Sequence, residues 1–104
     1  MAINYLDNNW KENVKEGFWL VDFFSETCGP CKMLAKNLET LDFEFPVINF
    51  GKVNLTKYPE IGEELEVRAV PTIFFMKDGE LLERHIGLLS VNQLKEKISQ
   101  YLYE

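Results

Sequence analysis

The sequence predicts an α/β fold in three layers, a central mixed sheet of four to five strands flanked by about four helices. Two observations predict it. Short apolar runs rich in Val, Ile and Phe alternate along the chain with segments whose apolar residues recur every three or four positions, the order that makes parallel crossovers. Near the end, two such runs flank Asp78-Gly79 with no helix between them, so one pair of strands is antiparallel and the sheet is mixed. The 104 residues are read as one domain, 1–104, able to bury roughly 65% of its unfolded surface.

Each element has its own signal. INYL offers a short first strand. Asn9 with Glu12 reads as a helix N-cap and its N3 acid, Trp10 and Val14 share the inner face, and Gly17 stops the helix. Phe18–Phe24, FWLVDFF, is apolar on both faces except at Asp22, as a central strand covered on both sides should be. A long helix opens at Cys28-Gly29-Pro30-Cys31; Leu34, Leu38, Leu41 and Phe45 form its stripe and Pro46 limits it. VINFGKVNL reads as a further buried strand. Pro59 suits a helix start, with Ile61 and Leu65 on one face. After Pro71, TIFFM is a strand, Asp78-Gly79 a hairpin turn, and LLERHI the returning strand. Ser90 and Gln93 form a capping box, and Val91, Leu94, Ile98 and Leu102 line the inner face of the last helix.

Hydrophobic residues are 46% and charged residues 27%, ordinary for a globular protein. The formal net charge of −6 argues against a nucleic-acid partner, because affinity for phosphates comes from Lys and Arg. It also leaves no basic patch for an anionic membrane. The start carries no signal-peptide pattern, and the longest apolar runs are too short to span a bilayer. A cytoplasmic monomer is the expectation. In that compartment a CxxC pair points to catalysis or metal rather than a permanent disulfide.

Cys28 and Cys31 are the only cysteines. A structural zinc site takes four ligands. These supply two, and the one histidine, His85, reads as a surface residue of a strand. No metal is expected within one chain; one shared between two copies stays open. The redox reading has several parts that agree. The pair follows a strand and opens a helix. There the free N–H groups and the dipole favour a thiolate, the form that attacks disulfides. Cys31 lies one turn on and within reach of a mixed disulfide at Cys28. Pro30 suits the first turn, where its missing N–H costs nothing. Two inert buried thiols would not need Gly-Pro between them. The apolar neighbours of Asp22 favour its burial over a solvent-facing place. Lys52 alone reads equally as a surface lysine, and an X–Pro bond such as that at Pro71 is usually trans.

LVDFF, CGPCKM, KVNL, VPTIFFMKDGE and IGLLSVNQL together resemble the thioredoxin family over nearly the whole chain, from Ile3 to Leu102. The resemblance implies the thioredoxin fold and protein disulfide reduction by reversible dithiol–disulfide exchange. It makes Cys28 the nucleophile, Cys31 the resolving thiol, Asp22 a buried carboxylate beneath them and Lys52 the lysine near it. It makes Pro71 a cis-proline beside the sulfurs, Val70 a backbone platform for a substrate strand, and Gly87 the glycine that leaves the groove open. Thr27, Gly29, Pro30 and Leu88 complete the binding rim. No cofactor is bound: the redox-active group is the Cys28–Cys31 disulfide, re-reduced by NADPH through a separate flavoprotein, thioredoxin reductase. Partners are that reductase and disulfide-containing proteins. The runner-up readings are an oxidoreductase dedicated to one partner and a binding module without turnover.

Four positions depart from the family pattern. Thr27 stands where the family has Trp, Lys36 where it has a helix-kinking Pro, Thr56 where Asp is common and Leu88 where Ala is common. Asn54-Leu55-Thr56 is formally a glycosylation sequon, but inside a strand it reads as coincidence. Thr27 buries far less apolar area against a partner than a tryptophan, which predicts weaker generic docking and a more open Cys28. Accordingly, Thr27→Trp should lower the KM for a standard protein disulfide. An unchanged or higher KM in a steady-state assay would put Thr27 outside the docking surface.

Overall fold

The computed structural model describes residues 3–103. The elements are β1 (Asn4–Leu6), α1 (Trp10–Asn13), β2 (Phe18–Phe24), α2 (Gly29–Glu44), β3 (Asn49–Asn54), α3 (Pro59–Glu64), β4 (Thr72–Lys77), β5 (Glu80–Ile86) and α4 (Val91–Leu102). Their order is the one the sequence predicts. The five strands form one sheet in the order β1-β3-β2-β4-β5. β1 and β2 both pair parallel with β3, β4 runs antiparallel to β2, and β5 antiparallel to β4. This is an α/β thioredoxin fold with a mixed sheet.

The strand period of two sorts β2 onto two cores. Phe18 and Leu20 pack with Leu34, Leu38 and Leu41 of α2 and with Leu94 and Ile98 of α4. Trp19, Val21 and Phe23 face Trp10 and Val14 at α1 and Ile61 of α3. Burying one such side chain contributes about 1.5–3 kcal/mol. Asp22 and Phe24 continue the row of Phe18 and Leu20, so they lie on the α2 face. Lys52 joins the same face, two residues beyond Phe50, which packs in that core.

Most turns and caps agree with the sequence, but Asn9 does not cap α1, and α1 ends at Asn13, short of Gly17, which directly precedes β2. Asp78 and Gly79 have φ of 50° and 85°, the left-handed pair of a two-residue hairpin, for which glycine has no steric cost. Ser90 and Gln93 make both halves of the capping box. The side chain of Asn9, however, makes no cap bond. Instead the Asn9 N–H donates to Asp7 Oδ1 at 2.8 Å. Helix α1 is a single turn, and Val14 closes it with its N–H on Trp10 O. α2 runs unbroken from Gly29 to Glu44 with Lys36 inside it, and Phe45 closes it with an N–H bond to Leu41 O. β3 is shorter than VINFGKVNL: Val47 is 71% exposed and the strand starts at Asn49. Among the described residues no helix is long and apolar enough to cross a membrane.

α4 is fastened to β5 by one carboxylate. Glu83 accepts from Lys97 Nζ and from the Tyr101 hydroxyl, both at 2.5 Å. These bonds hold its carboxyl below the usual carboxylate range. Folding gains from a lowered carboxyl pKa in full above the unfolded value, and the gain fades as pH falls through the folded one. Glu83→Gln should therefore lower stability by about 1 kcal/mol at pH 7, with the gap closing toward pH 3. Denaturant midpoints of both proteins at the two pH values check this.

Candidate active site

β2 ends at Phe24, and four residues later Cys28 caps α2. Its backbone is extended (φ −117°, ψ 113°), and its Sγ accepts the N–H of Cys31 at 3.1 Å. Pro30 sits in the first turn, where no intrahelical partner awaits its nitrogen. Cys28 and Cys31 are joined by a disulfide, with Cα atoms 5.2 Å apart. In the dithiol form the Cys31 N–H and the positive helix end would face a Cys28 thiolate and stabilise it.

Thr27, Gly29 and Pro30 are exposed on the rim. Cys28 itself is only 8% exposed. Its cover comes from the other side, where the Val70 carbonyl oxygen lies 3.8 Å from Sγ. The Val70–Pro71 bond is cis. Pro71 O accepts the N–H of Gly87 at 2.8 Å. Gly87 has φ of +105°, a conformation glycine adopts readily and other residues rarely. A Cβ there would meet nothing within 4 Å, so the space over it is open. Leu88 follows, 39% exposed. Strand register explains the convergence: Thr72 opposes both Phe23 and Ile86, so β2 ends, β4 begins and β5 ends at one edge of the sheet.

Below this surface Asp22 is fully buried, and among the described residues neither carboxylate oxygen has a hydrogen-bond partner. Burial raises its pKa from 3.8 to about 7, against a smaller opposing pull from the Lys52 charge. Lys52 is its in-register neighbour on β3. The lysine is itself 9% exposed, and its ammonium rests 4.6 Å from the Phe24 ring centre and 5.5 Å from that of Tyr5. Cys31 and Lys52 line a common cavity of about 270 Å³ with Phe24, Ser25 and Ala35. No group of three or more His, Cys, Asp and Glu able to hold a metal occurs among the described residues.

Several contributors had no clear sequence signal. Phe24 and Tyr5 seat the lysine. Asn54 and Thr56 fasten the loop before Cys28: Asn54 Nδ2 donates to Glu26 Oε2 at 2.8 Å, and the Glu26 N–H donates to Thr56 Oγ1 at 3.0 Å. Asn54 Oδ1 also accepts from the N–H groups of Thr56 and Lys57. An Asn that ends a strand is a turn signal in its own right, and it was legible in the same three residues as the sequon.

An α/β sheet that delivers a CxxC disulfide to a helix N-terminus, beside a cis-proline and above a buried acid, defines a thiol–disulfide oxidoreductase. The Thioredoxin family profile matches residues 2–100. A thioredoxin of Chlamydia trachomatis is 39% identical over 93 residues, 89% of this chain and 91% of that protein. One of Staphylococcus saprophyticus is 34% identical over 101 residues, 96% of this chain and 97% of that protein. The solved structure of oxidised mitochondrial thioredoxin 3 from Saccharomyces cerevisiae superposes with a TM-score of 0.84 at 32% identity, covering 94% of each chain. The chain belongs to the thioredoxin family, and its chemistry is protein thiol–disulfide exchange at the Cys28–Cys31 pair.

Asp22 gives a pH test. An acid whose folded pKa is raised holds its proton more tightly folded than unfolded, so stability falls as pH rises from about 3.8 to about 7 and is level above. Asp22→Asn removes that loss. The variant should gain on the order of 2–4 kcal/mol at pH 8 and little at pH 3. Paired denaturation curves decide; a loss of stability at pH 8 would mean that the carboxylate is well paired after all.

Proposed function

We propose that this chain is a general reductant of protein disulfides, with Cys28 as nucleophile and Cys31 as resolving thiol. The observation that carries the reading is the capping geometry: Cys28 Sγ receives the Cys31 N–H at the helix end and faces the Val70 backbone. The Cys28 thiolate attacks one sulfur of a partner disulfide, and the other partner sulfur leaves as thiolate and takes up a proton. Cys31 then loses its proton, attacks the Cys28 sulfur and expels the second partner thiolate, which is protonated in turn. Two electrons pass to the partner, and the Cys28–Cys31 disulfide is the oxidised product.

Asp22 is the base for the Cys31 proton. A carboxyl titrating at about 7 is well matched to that task at neutral pH. Water in the cavity shared by Cys31 and Lys52 is the carrier, and Lys52 tunes the acid. The partner's extended segment lies along Val70 as an added strand, with Thr27, Gly29, Pro30, Pro71, Gly87 and Leu88 forming the groove. NADPH, through a separate flavoprotein thioredoxin reductase, returns the pair to the dithiol. Family membership supports that route, and a reducing cytoplasm suits a pair that must cycle. Thr27 and the exposed Leu88 favour one variation, a chain dedicated to fewer partners that offer an apolar contact.

Order in the helix predicts unequal mutants. Cys31→Ser should still attack and then stall as a mixed disulfide, seen by mass spectrometry as the partner's added mass. Cys28→Ser should react with nothing. The opposite pattern would exchange the two roles. Asp22→Asn should release the partner more slowly in single turnover at pH 7.

A further inference from the structure

Residues 65–70 carry the chain from the end of α3 to Val70. Their path starts from an unusual residue. Glu66 has φ of +55°, left-handed although it is not glycine. The helix closes there by two reverse bonds, Val67 N–H to Gly62 O at 2.8 Å and Glu66 N–H to Glu63 O at 3.2 Å. The carbonyls of Leu65 and Glu66 are both taken by Arg84 of β5: Nη1 donates to Leu65 O and Nη2 to Glu66 O, each at 2.6 Å. The guanidinium carbon lies 5.6 Å from the ring centre of Phe74, which is its cross-strand neighbour. A planar fork laid on a buried ring and holding two carbonyls is a rigid clamp that a lysine cannot copy. The neighbouring Arg68–Glu66 pair, with side chains 81% and 75% exposed, adds little. Farther along, the Thr72 hydroxyl donates to Ala69 O at 2.7 Å, and Gly87 N–H holds Pro71 O. β5 thus grips the segment at its start, through Arg84, and just past its end, beside Gly87.

We propose that Arg84 is a positioning residue of the exchange site: by holding Leu65 and Glu66 it sets the direction in which 67–70 leaves α3, and so the setting of the Val70 backbone beside Cys28. The inference rests on the reading that a partner strand docks on Val70. Arg84 touches no reacting sulfur, so its effect falls on docking and not on exchange itself.

The test uses Arg84→Met and Arg84→Lys in the full chain, with insulin reduction by dithiothreitol as the protein reaction and a small aromatic disulfide as the reaction that needs no docked strand. Arg84→Met should raise the KM for insulin about threefold to tenfold, the worth of one or two hydrogen bonds, with kcat and the small-disulfide rate within about twofold. Arg84→Lys should raise it less, and serves alone if Arg84→Met does not fold. Adding Glu66→Gly, which relieves the left-handed residue, should raise the denaturant midpoint but leave KM high. The proposal is overturned by an unchanged KM in a folded variant, by an equal loss with both substrates, or by recovery of KM with Glu66→Gly. Amide exchange at Val70 in a Cys31→Ser mixed disulfide with a disulfide peptide separates the two layers. Slower exchange on adduct formation, with KM unaffected by Arg84, sinks the Arg84 role alone. No slowing in the adduct sinks the docking reading beneath it.

Discussion

β2 has neighbours on both edges and helices on both faces, and the reactive end of the molecule depends on that confinement. Its parallel pairing with β3 requires a crossover, which α2 supplies, and the crossover must begin where β2 ends. A helix N-terminus is thereby fixed at one edge of the sheet, with its free N–H groups turned outward. Antiparallel β4 on the other side must start at that same edge, and β5 must finish there. The cysteine at the helix cap, the proline before β4 and the glycine after β5 meet because of strand direction alone. Local chemistry then refines the meeting: an extended N-cap at Cys28, a proline in the first turn, and a glycine at φ +105°.

The same confinement makes Asp22 expensive. It occupies the last fully buried position of the row that Phe18 and Leu20 begin, so it is cut off from bulk solvent, and among the described residues no donor bonds either oxygen. Two opposed effects act on its proton. Burial favours the neutral acid, the Lys52 charge favours the carboxylate, and burial is the larger. The reason lies in where the lysine goes. Its ammonium sits over the Phe24 and Tyr5 rings, so part of its electrostatic demand is met by aromatic faces rather than by the acid. A closed ion pair would drive the carboxyl well below neutrality. An acid left near 7 can exchange a proton with a thiol at neutral pH.

What the sequence made legible follows from the range of each signal. FWLVDFF, the Asp-Gly hairpin and the Ser90–Gln93 capping box are local patterns, and each held. Asn9 failed for a local reason too: its backbone angles, φ −95° and ψ 18°, are not the extended ones that aim a cap side chain at the helix, and its own N–H is held by Asp7 Oδ1. The expectations for Cys28, Cys31, Asp22, Lys52 and Pro71 came through spacing and family likeness. The parts that escaped join residues far apart in the chain. Arg84 reaches back to Leu65, and Asn54 to Glu26. Nothing in the identity of an arginine on a charged edge strand marks it as a clamp. Only the register with Phe74 and the left-handed turn at Glu66 do that, and both are properties of the folded chain.

Two of the departures from the family pattern, Thr56 and Thr27, meet at one loop. Thr56, in place of the common Asp, accepts the Glu26 N–H, and Asn54 holds the Glu26 carboxylate, so the loop that carries Thr27 is pinned at both backbone and side chain. A rim that has lost its large ring has therefore not lost its order. Beside that loop Cys28 is 8% exposed, with the Val70 carbonyl oxygen 3.8 Å from its sulfur. With a small residue at 27, less docking energy can come from side-chain burial on that side of the sulfur. On the proposed reading the balance falls on the opposite side: on the backbone at Val70, on the exposed Leu88, and on whatever holds the 65–70 segment still. A docking surface built from backbone groups is only as good as their placement. As proposed, the placement comes from β5, which is itself held to α4 by Glu83, Lys97 and Tyr101. On that reading, fixed backbone geometry beside Cys28 stands in for area at the rim.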